Sequence, residues 1–259
     1  MLGKLIKYEF KATGRIFLPL FSALLIVSTV SRMLEGVRRG APHLIGITAA
    51  AMLIAAAIVI TLILTLQRFY KNFMSNEGYL MFTLPVSTDR LIWSKLIVAA
   101  VWSIACVLVV CLSISIMTLP SGELAAMIES FTHLNLPTVD GVFFSIELAA
   151  IALALLLDSI LSLYVCMALS LFFNKHRVSI SFAIYVGMVI LFQILAVIAV
   201  SVAANANIIL SDGLTAFINT HPNGTAHVLL VLVFLAVAAV GAVFFLITRY
   251  MLKNKLNLQ

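Results

Sequence analysis

The sequence predicts an all-α integral membrane protein with six transmembrane helices, and three observations carry that prediction. Hydrophobic residues make up 63% of the 259 positions and charged residues only 10%, whereas a soluble domain has about 45–50% and about 25%. Six apolar runs are long enough to cross a bilayer, which takes about 20 residues. Lysine and arginine concentrate in alternate connections between these runs. This composition argues against a soluble enzyme and against a disordered chain.

The six apolar runs are interpreted as the spans of a single transmembrane domain that covers residues 1–259. The longest connection between them, Gln67–Lys95, has 29 residues and is too short for a soluble catalytic domain. The predicted spans are Ile16–Leu34, Leu44–Leu66, Leu96–Leu119, Val142–Phe173, Val178–Ala204 and Ala226–Thr248.

The basic residues predict the orientation, because cytoplasmic connections of membrane proteins are enriched in lysine and arginine. With the N-terminus in the cytoplasm, thirteen of these residues lie inside and only Arg32, Arg38 and Arg39 lie outside. Both termini are therefore expected to be cytoplasmic. The net charge of +6 then follows from membrane orientation, and no nucleic-acid partner is expected.

The segment before the first span, residues 1–14, predicts an amphipathic helix that lies in the inner membrane interface. Three lysines share one helical face and three apolar residues share the other: Lys4, Lys7 and Lys11 against Leu2, Ile6 and Phe10. Glu9 interrupts the apolar face, and lipid contact alone does not explain a carboxylate there.

Two acidic residues lie at or near membrane depth, Glu147 and Asp158, both on the fourth span. They are 11 residues apart and therefore share one helical face. Acids at this depth are candidates for pathway or proton-transfer roles, but for Asp158 an interhelical hydrogen bond is the favoured explanation. Glu147 is close enough to the outer headgroups to need no special role.

Motifs of soluble and intramembrane enzymes are not found. The chain has no GxxxxGK[ST] phosphate loop, no HExxH pair and no cysteine pair with metal-ligand spacing. We therefore expect this chain to be neither an enzyme nor the holder of a metal or cofactor.

The connection between the second and third spans combines polar and aromatic residues, which is unusual for a solvated loop. Phe69, Tyr70, Phe73 and Tyr79 occur within eleven residues, and Gly78 suits the position after the C-terminus of a helix. This pattern predicts a segment that docks onto a partner or the membrane surface.

Short motifs in and around this connection resemble those of the type-2 ABC export permeases, the six-span membrane subunits of ATP-driven exporters. The resemblance rests on Phe73–Leu80, which reads Phe-x-x-x-Glu-Gly-Tyr-Leu, and on Thr-Leu-Pro-Val-Ser at Thr83–Ser87. Ser94–Leu96 at the entry to the third span and the basic segment Leu5–Phe10 extend it.

The resemblance implies a coupling helix over residues 69–78 that is seated on a separate ATPase subunit. Two copies of that ATPase would bind ATP and Mg²⁺, and a second permease subunit, identical or homologous, would complete the pathway in a bacterial cytoplasmic membrane. Similar permeases export amphipathic peptides, including phenol-soluble modulins and antimicrobial peptides. The residues expected to contact the ATPase are Phe69, Tyr70, Phe73, Glu77, Gly78 and Tyr79.

The sequence is compatible with two other functions. One is a secondary transporter in which Asp158, with or without Glu147, carries coupling protons. The other is a membrane protein that anchors or assembles partners without transporting anything.

Overall fold

The computed structural model describes residues 2–35, 41–73, 87–118, 139–173, 177–209 and 222–254, and these residues are helical apart from the positions next to helix ends. Six α-helices and one 3₁₀ turn, Ser170–Phe172, are present in these ranges. The helices are α1 Leu2–Glu35, α2 Ala41–Phe73, α3 Thr88–Thr118, α4 Val139–Leu169, α5 Arg177–Ile209 and α6 Pro222–Asn254.

Each of the six helices is long and apolar enough to cross a membrane, which confirms the predicted number of helices and is consistent with a multi-pass membrane protein. The helices have 31 to 34 residues, or about 46–51 Å at 1.5 Å per residue. A bilayer core is only about 30 Å thick. Every helix therefore has several turns to spare beyond the length that a membrane requires.

The first helix differs from the sequence-based expectation of an interfacial helix followed by a span. Residues 2–35 form the single helix α1, with Gly14 and Pro19 both inside it. Gly14 lies against the indole of Trp102 on α3, where an added Cβ would be 3.5 Å from Cζ2. Packing on α3 thus stabilises the helix through the position where the sequence suggested a boundary.

The second helix also differs, because α2 continues through Phe73 and does not end near Leu66. A separate helix that begins at Phe69 is therefore not present, and residues 69–73 are the last residues of α2. The remainder of the predicted coupling helix, residues 74–78, lies outside the described residues.

The chain divides into two compact units, residues 1–135 and residues 136–259. In the N-terminal unit α1 packs on both α2 and α3. Glu9 meets Arg68 near one end of the α1–α2 pair, and Ser31 meets Gly46 near the other, so these two helices are antiparallel.

The helices α1 and α3 of the N-terminal unit run parallel, since Thr13 contacts Trp102 and Arg32 contacts Ile116 further along both helices. Trp102 fills the space between them and stacks on Phe17 with ring centroids 4.7 Å apart. The core beside it consists of Phe17, Phe21, Leu24, Ala57 and Cys106.

In the C-terminal unit α4 packs chiefly on α6 and also on α5. Glu147 meets His227 near the starts of α4 and α6, and Asp158 meets Gly241 further along both helices, so these helices run parallel. The second half of α4 is the most buried part of this unit, with Tyr164 only 1% exposed. In α5, by contrast, Ser181 is the one buried residue among the described side chains.

The close approach of α1 and α2 generates a first prediction. A Cβ at Gly46 would lie 2.8 Å from Ser31 Oγ and 3.2 Å from Ser31 Cα, so Gly46→Ala must push the two backbones apart. We expect a loss of about 1–3 kcal/mol, the usual effect of overpacking, seen as a lower unfolding temperature in detergent.

The matched control is Gly187→Ala on α5, where an added Cβ meets nothing within 4 Å. It removes a helical glycine without a clash and should leave the stability unchanged or raise it by up to about 1 kcal/mol. Equal behaviour of the two variants would contradict the close contact.

Candidate functional site

The most distinctive polar site in the described residues is an ion cluster in the N-terminal unit. The Glu9 carboxylate on α1 accepts a hydrogen bond from Arg68 Nη1 on α2 at 2.7 Å. Its other oxygen accepts a hydrogen bond from Lys95 Nζ on α3. One carboxylate therefore joins three helices, and we call Glu9, Arg68 and Lys95 the Glu9 cluster.

The Glu9 cluster is shielded from solvent to different degrees at its three members. The Lys95 side chain is 3% exposed and the Glu9 side chain 15%, while Arg68 retains 26%. Removing a charge from water costs several kcal/mol unless an opposite charge compensates it. Lys95 is therefore the member that depends most on its partner, and within the described residues that partner is Glu9.

A second polar contact lies one helical turn further along α1. Trp102 Nε1 on α3 donates a hydrogen bond to Thr13 Oγ1 at 2.7 Å, and Thr13 Oγ1 donates to the Glu9 carbonyl oxygen at 2.7 Å. Thr13 is 2% exposed, so both bonds are formed in an apolar surrounding where they are strong. Together with the Glu9 cluster, this contact sets the register of α1 on α3.

The Glu9 cluster contains residues from both ends of the predicted coupling segment, residues 67–95. Arg68 lies five residues before Phe73, where α2 ends, and Lys95 lies seven residues after Thr88, where α3 begins. The same carboxylate thus binds α2 near its end, before residues 74–86, and α3 near its start, after them. This arrangement also explains why an acid interrupts the apolar face of residues 1–14.

The residues predicted to contact an ATPase have different surroundings. Phe69 is completely buried in the N-terminal unit, so it stabilises the end of α2 and does not offer a surface to a partner. Tyr70 is half-buried on the next position of the same helix. Phe73 is the last residue of α2, and its side chain lies outside the described part of the structure, as do Glu77, Gly78 and Tyr79.

The two acids of the fourth span both face α6, in agreement with the prediction that they share one helical face. Glu147 Oε2 lies 2.8 Å from Nδ1 of His227, and the ring of that histidine makes an angle of 73° with the ring of Phe144, with centroids 6.5 Å apart. Glu147 therefore has a specific partner on α6, which the sequence did not suggest.

Asp158 contacts α6 in a different way, by lying directly against the backbone at Gly241. A Cβ at that position would overlap Asp158 Oδ1 and lie 3.2 Å from Cγ, so any larger residue displaces the carboxylate. Asp158 makes no hydrogen bond or ion pair to another residue that the structure describes. The interhelical hydrogen bond considered for Asp158 is thus not among the described contacts.

No protein-family model, no curated protein and no solved structure matches the chain. The resemblance to export permeases therefore rests on the short motifs between residues 73 and 96 and on the basic segment Leu5–Phe10. Among the described residues, no group of three or more histidine, cysteine and acidic side chains is arranged to hold a metal ion.

Two members of the Glu9 cluster stand out in the sequence, although their pairing does not. Glu9 was visible as an exception on an apolar face, and Lys95 stands at the edge of an apolar run, where a cation requires a partner. The pairing itself needs helix packing, since Arg68 and Lys95 are 59 and 86 residues from Glu9. His227 and Gly241 gave no comparable signal.

The Glu9 cluster generates a second prediction, which concerns stability. Glu9→Gln leaves two cations without a carboxylate, and removing one partner of a buried pair typically costs about 3–5 kcal/mol. Lys95→Met should cost clearly less, because Glu9 keeps Arg68 at 2.7 Å and the buried ammonium is gone. The measurement is unfolding in detergent, followed by circular dichroism.

Lys7→Gln is the control for this comparison, because Lys7 is exposed and lies on the same helix. Its neutralisation should leave stability within about 0.5 kcal/mol of the unmodified chain. If Lys95→Met proved as damaging as Glu9→Gln, the carboxylate would not be the centre of the cluster.

Proposed function

We propose that this chain is the membrane permease subunit of an ATP-driven exporter, with ATP and Mg²⁺ bound by a separate ATPase subunit. The observation that carries the proposal is the pair of helix ends around residues 74–86. Here α2 extends seven residues past its apolar run and α3 begins eight residues before its own. Seven residues of helix correspond to about 10 Å, so both helices reach beyond the apolar layer.

These two helix ends suit a segment that receives force from a partner. They are adjacent, because α2 and α3 pack on each other, and the Glu9 cluster holds both to α1. Rigid helical elements transmit displacement because packed interfaces switch between discrete arrangements. A chain without a nucleotide-binding motif depends on such a mechanical input, and residues 67–95 are the longest stretch between two predicted spans.

The proposal includes an orientation in which the ends that hold the Glu9 cluster face the cytoplasm of a bacterial cell. In the N-terminal unit this end carries Lys4, Lys7, Lys11 and Arg15 on the exposed side of α1, in line with the positive-inside rule.

The orientation can be tested with a single cysteine. Glu129→Cys, in a background without Cys106, Cys111 and Cys166, should react with an impermeant thiol reagent from outside. Reaction only after permeabilisation would reverse the orientation.

The continuous helix α1 modifies how the first 14 residues meet the membrane. Its basic stripe and its buried stripe lie on different sides of one helix, so the N-terminal turns pack on α3 with Glu9, Thr13 and Gly14 while the lysines face outward. We propose that these lysines lie at the level of the inner headgroups. Exposed Tyr8 and Trp93 at the same end suit the aromatic belt of that interface.

The transport pathway in this proposal is formed with a second permease subunit, either another copy of this chain or a homologue. The apolar surfaces of the helices, most of all α5, require lipid or protein as neighbours. Fixed charges at membrane depth are few, which favours an amphipathic, peptide-like cargo over a highly charged one.

The coupling assignment generates a third prediction. Phe73→Ala removes an aromatic side chain at the tip of α2 and should weaken ATPase binding by about 2 kcal/mol, as expected for an interface anchor. Glu77→Ala should uncouple ATP hydrolysis from transport. The measurements are co-purification with the ATPase subunits of the source organism and ATPase and transport rates in liposomes.

The control is Phe182→Ala, which truncates an aromatic residue that is 68% exposed on α5 and far in sequence from the coupling segment. It should co-purify like the unmodified chain. Unchanged binding, hydrolysis and transport for both Phe73→Ala and Glu77→Ala would show that the coupling segment lies elsewhere.

A second candidate function is proton-coupled secondary transport, and the unpaired state of Asp158 within the described residues favours it. Intramembrane carboxylates without a structural partner are commonly functional. The contact between Asp158 and Gly241 allows an experiment that distinguishes the two functions. Gly241→Ala displaces the carboxylate without removing it.

The fourth prediction follows from that placement. If the chain is an ATP-driven permease, Asp158→Asn and Gly241→Ala should both retain assembly and most ATP-driven transport, since neither changes the coupling segment. The measurement is transport in liposomes with ATP or with an imposed proton gradient. Loss of transport in Asp158→Asn with intact assembly would favour the proton-coupled function.

A further inference from the structure

The Glu9 cluster does more than stabilise the fold, because it brings two positive charges together. One lies near the end of α2 and the other near the start of α3, on either side of residues 74–86. Arg68 and Lys95 each approach a different oxygen of one carboxylate. Two cations that close repel each other unless an anion lies between them. The separation of α2 and α3 at this level is therefore set by the Glu9 carboxylate.

The burial of Lys95 makes that separation sensitive to Glu9. With a side chain 3% exposed, Lys95 is almost entirely removed from bulk water in its present position. If the carboxylate is lost, Lys95 can stay charged only by reaching water, which requires that the ends of α2 and α3 move apart or that its side chain leaves the interface. Either movement changes the geometry with which both helices enter residues 74–86.

The contact between Thr13 and Trp102 holds α1 and α3 together next to the Glu9 cluster. Because Trp102 Nε1 donates to Thr13 and the indole stacks on Phe17, α1 and α3 are held in register next to the cluster. A displacement of the α2 end relative to α3 is consequently opposed through Glu9 by α1.

From these contacts we propose that Glu9 is a positioning residue that makes the first turns of α1 part of the coupling apparatus. It fixes the distance between the ends of α2 and α3 and passes a displacement of either end to α1. The part of this inference that concerns ATP-driven motion rests on the proposed function. The part that concerns the distance does not.

The distance is measurable by pulsed electron paramagnetic resonance on the full chain in lipid nanodiscs. Spin labels at Gln67→Cys and Ser87→Cys, both exposed positions, report on the ends of α2 and α3, with the three native cysteines replaced by alanine. The unmodified cluster should give a narrow distribution. Glu9→Gln should broaden it and shift its mean to longer distances.

Two further variants identify the cause of such a change. Glu9→Gln combined with Lys95→Met removes the uncompensated ammonium together with the carboxylate and should restore a narrow distribution near the original mean. Lys7→Gln, a neutralisation on the exposed side of α1, should have no effect. A double variant that stays broad, or does not fold, would overturn the proposal, because loss of charge compensation would then not be the cause.

A final arm separates this inference from the proposed function. In the complex with the ATPase, addition of ATP should change the distance between labels 67 and 87, and Glu9→Gln should reduce that change. If no ATPase associates with the unmodified chain while Glu9→Gln still broadens the distribution, the exporter function fails and the positioning role stands. If the ATPase associates and Glu9→Gln leaves the distance and its ATP-dependent change as before, the positioning role fails.

Discussion

The N-terminal unit depends on a constraint that is simple to state: a carboxylate on the packed face of an apolar helix must be met by cations. Glu9 occupies such a face, and the nearest helices each contribute one cation, Arg68 and Lys95. Since an unpaired charge in this surrounding costs several kcal/mol, arrangements that separate α1 from α2 or α3 are strongly disfavoured. The hydrophobic contacts around Trp102 fill the space between α1 and α3 beside the Glu9 cluster.

The number and approximate location of the helices could be predicted because a bilayer imposes a length and a composition on each span. The ends of α1 and α2 could not, because composition marks where apolar character stops and not where the helix stops. Both helices continue through polar residues that find partners on a neighbour, as Glu9 does with Arg68. The same limit applies to the sites, since Glu147 and Asp158 share a predictable face while His227 and Gly241 emerge only from packing.

The two acids of α4 show how differently a membrane protein accommodates a carboxylate. Glu147 is close to one end of its helix and meets a histidine, whereas Asp158 is deeper and lies on a helix surface that glycine has left open. The first arrangement compensates charge by pairing. The second makes room for the group without compensating it within the described residues, which is the kind of exception that points to function.

The sequence distances within the Glu9 cluster also bear on how the protein is made. Glu9 is synthesised 59 residues before Arg68 and 86 residues before Lys95, so α1 leaves the ribosome with a carboxylate that has no cation to meet. Until α2 brings Arg68, the first turns of α1 remain better placed in water or among headgroups than against another helix. The first turns of α1 are therefore expected to dock only after α2 and α3 have supplied Arg68 and Lys95.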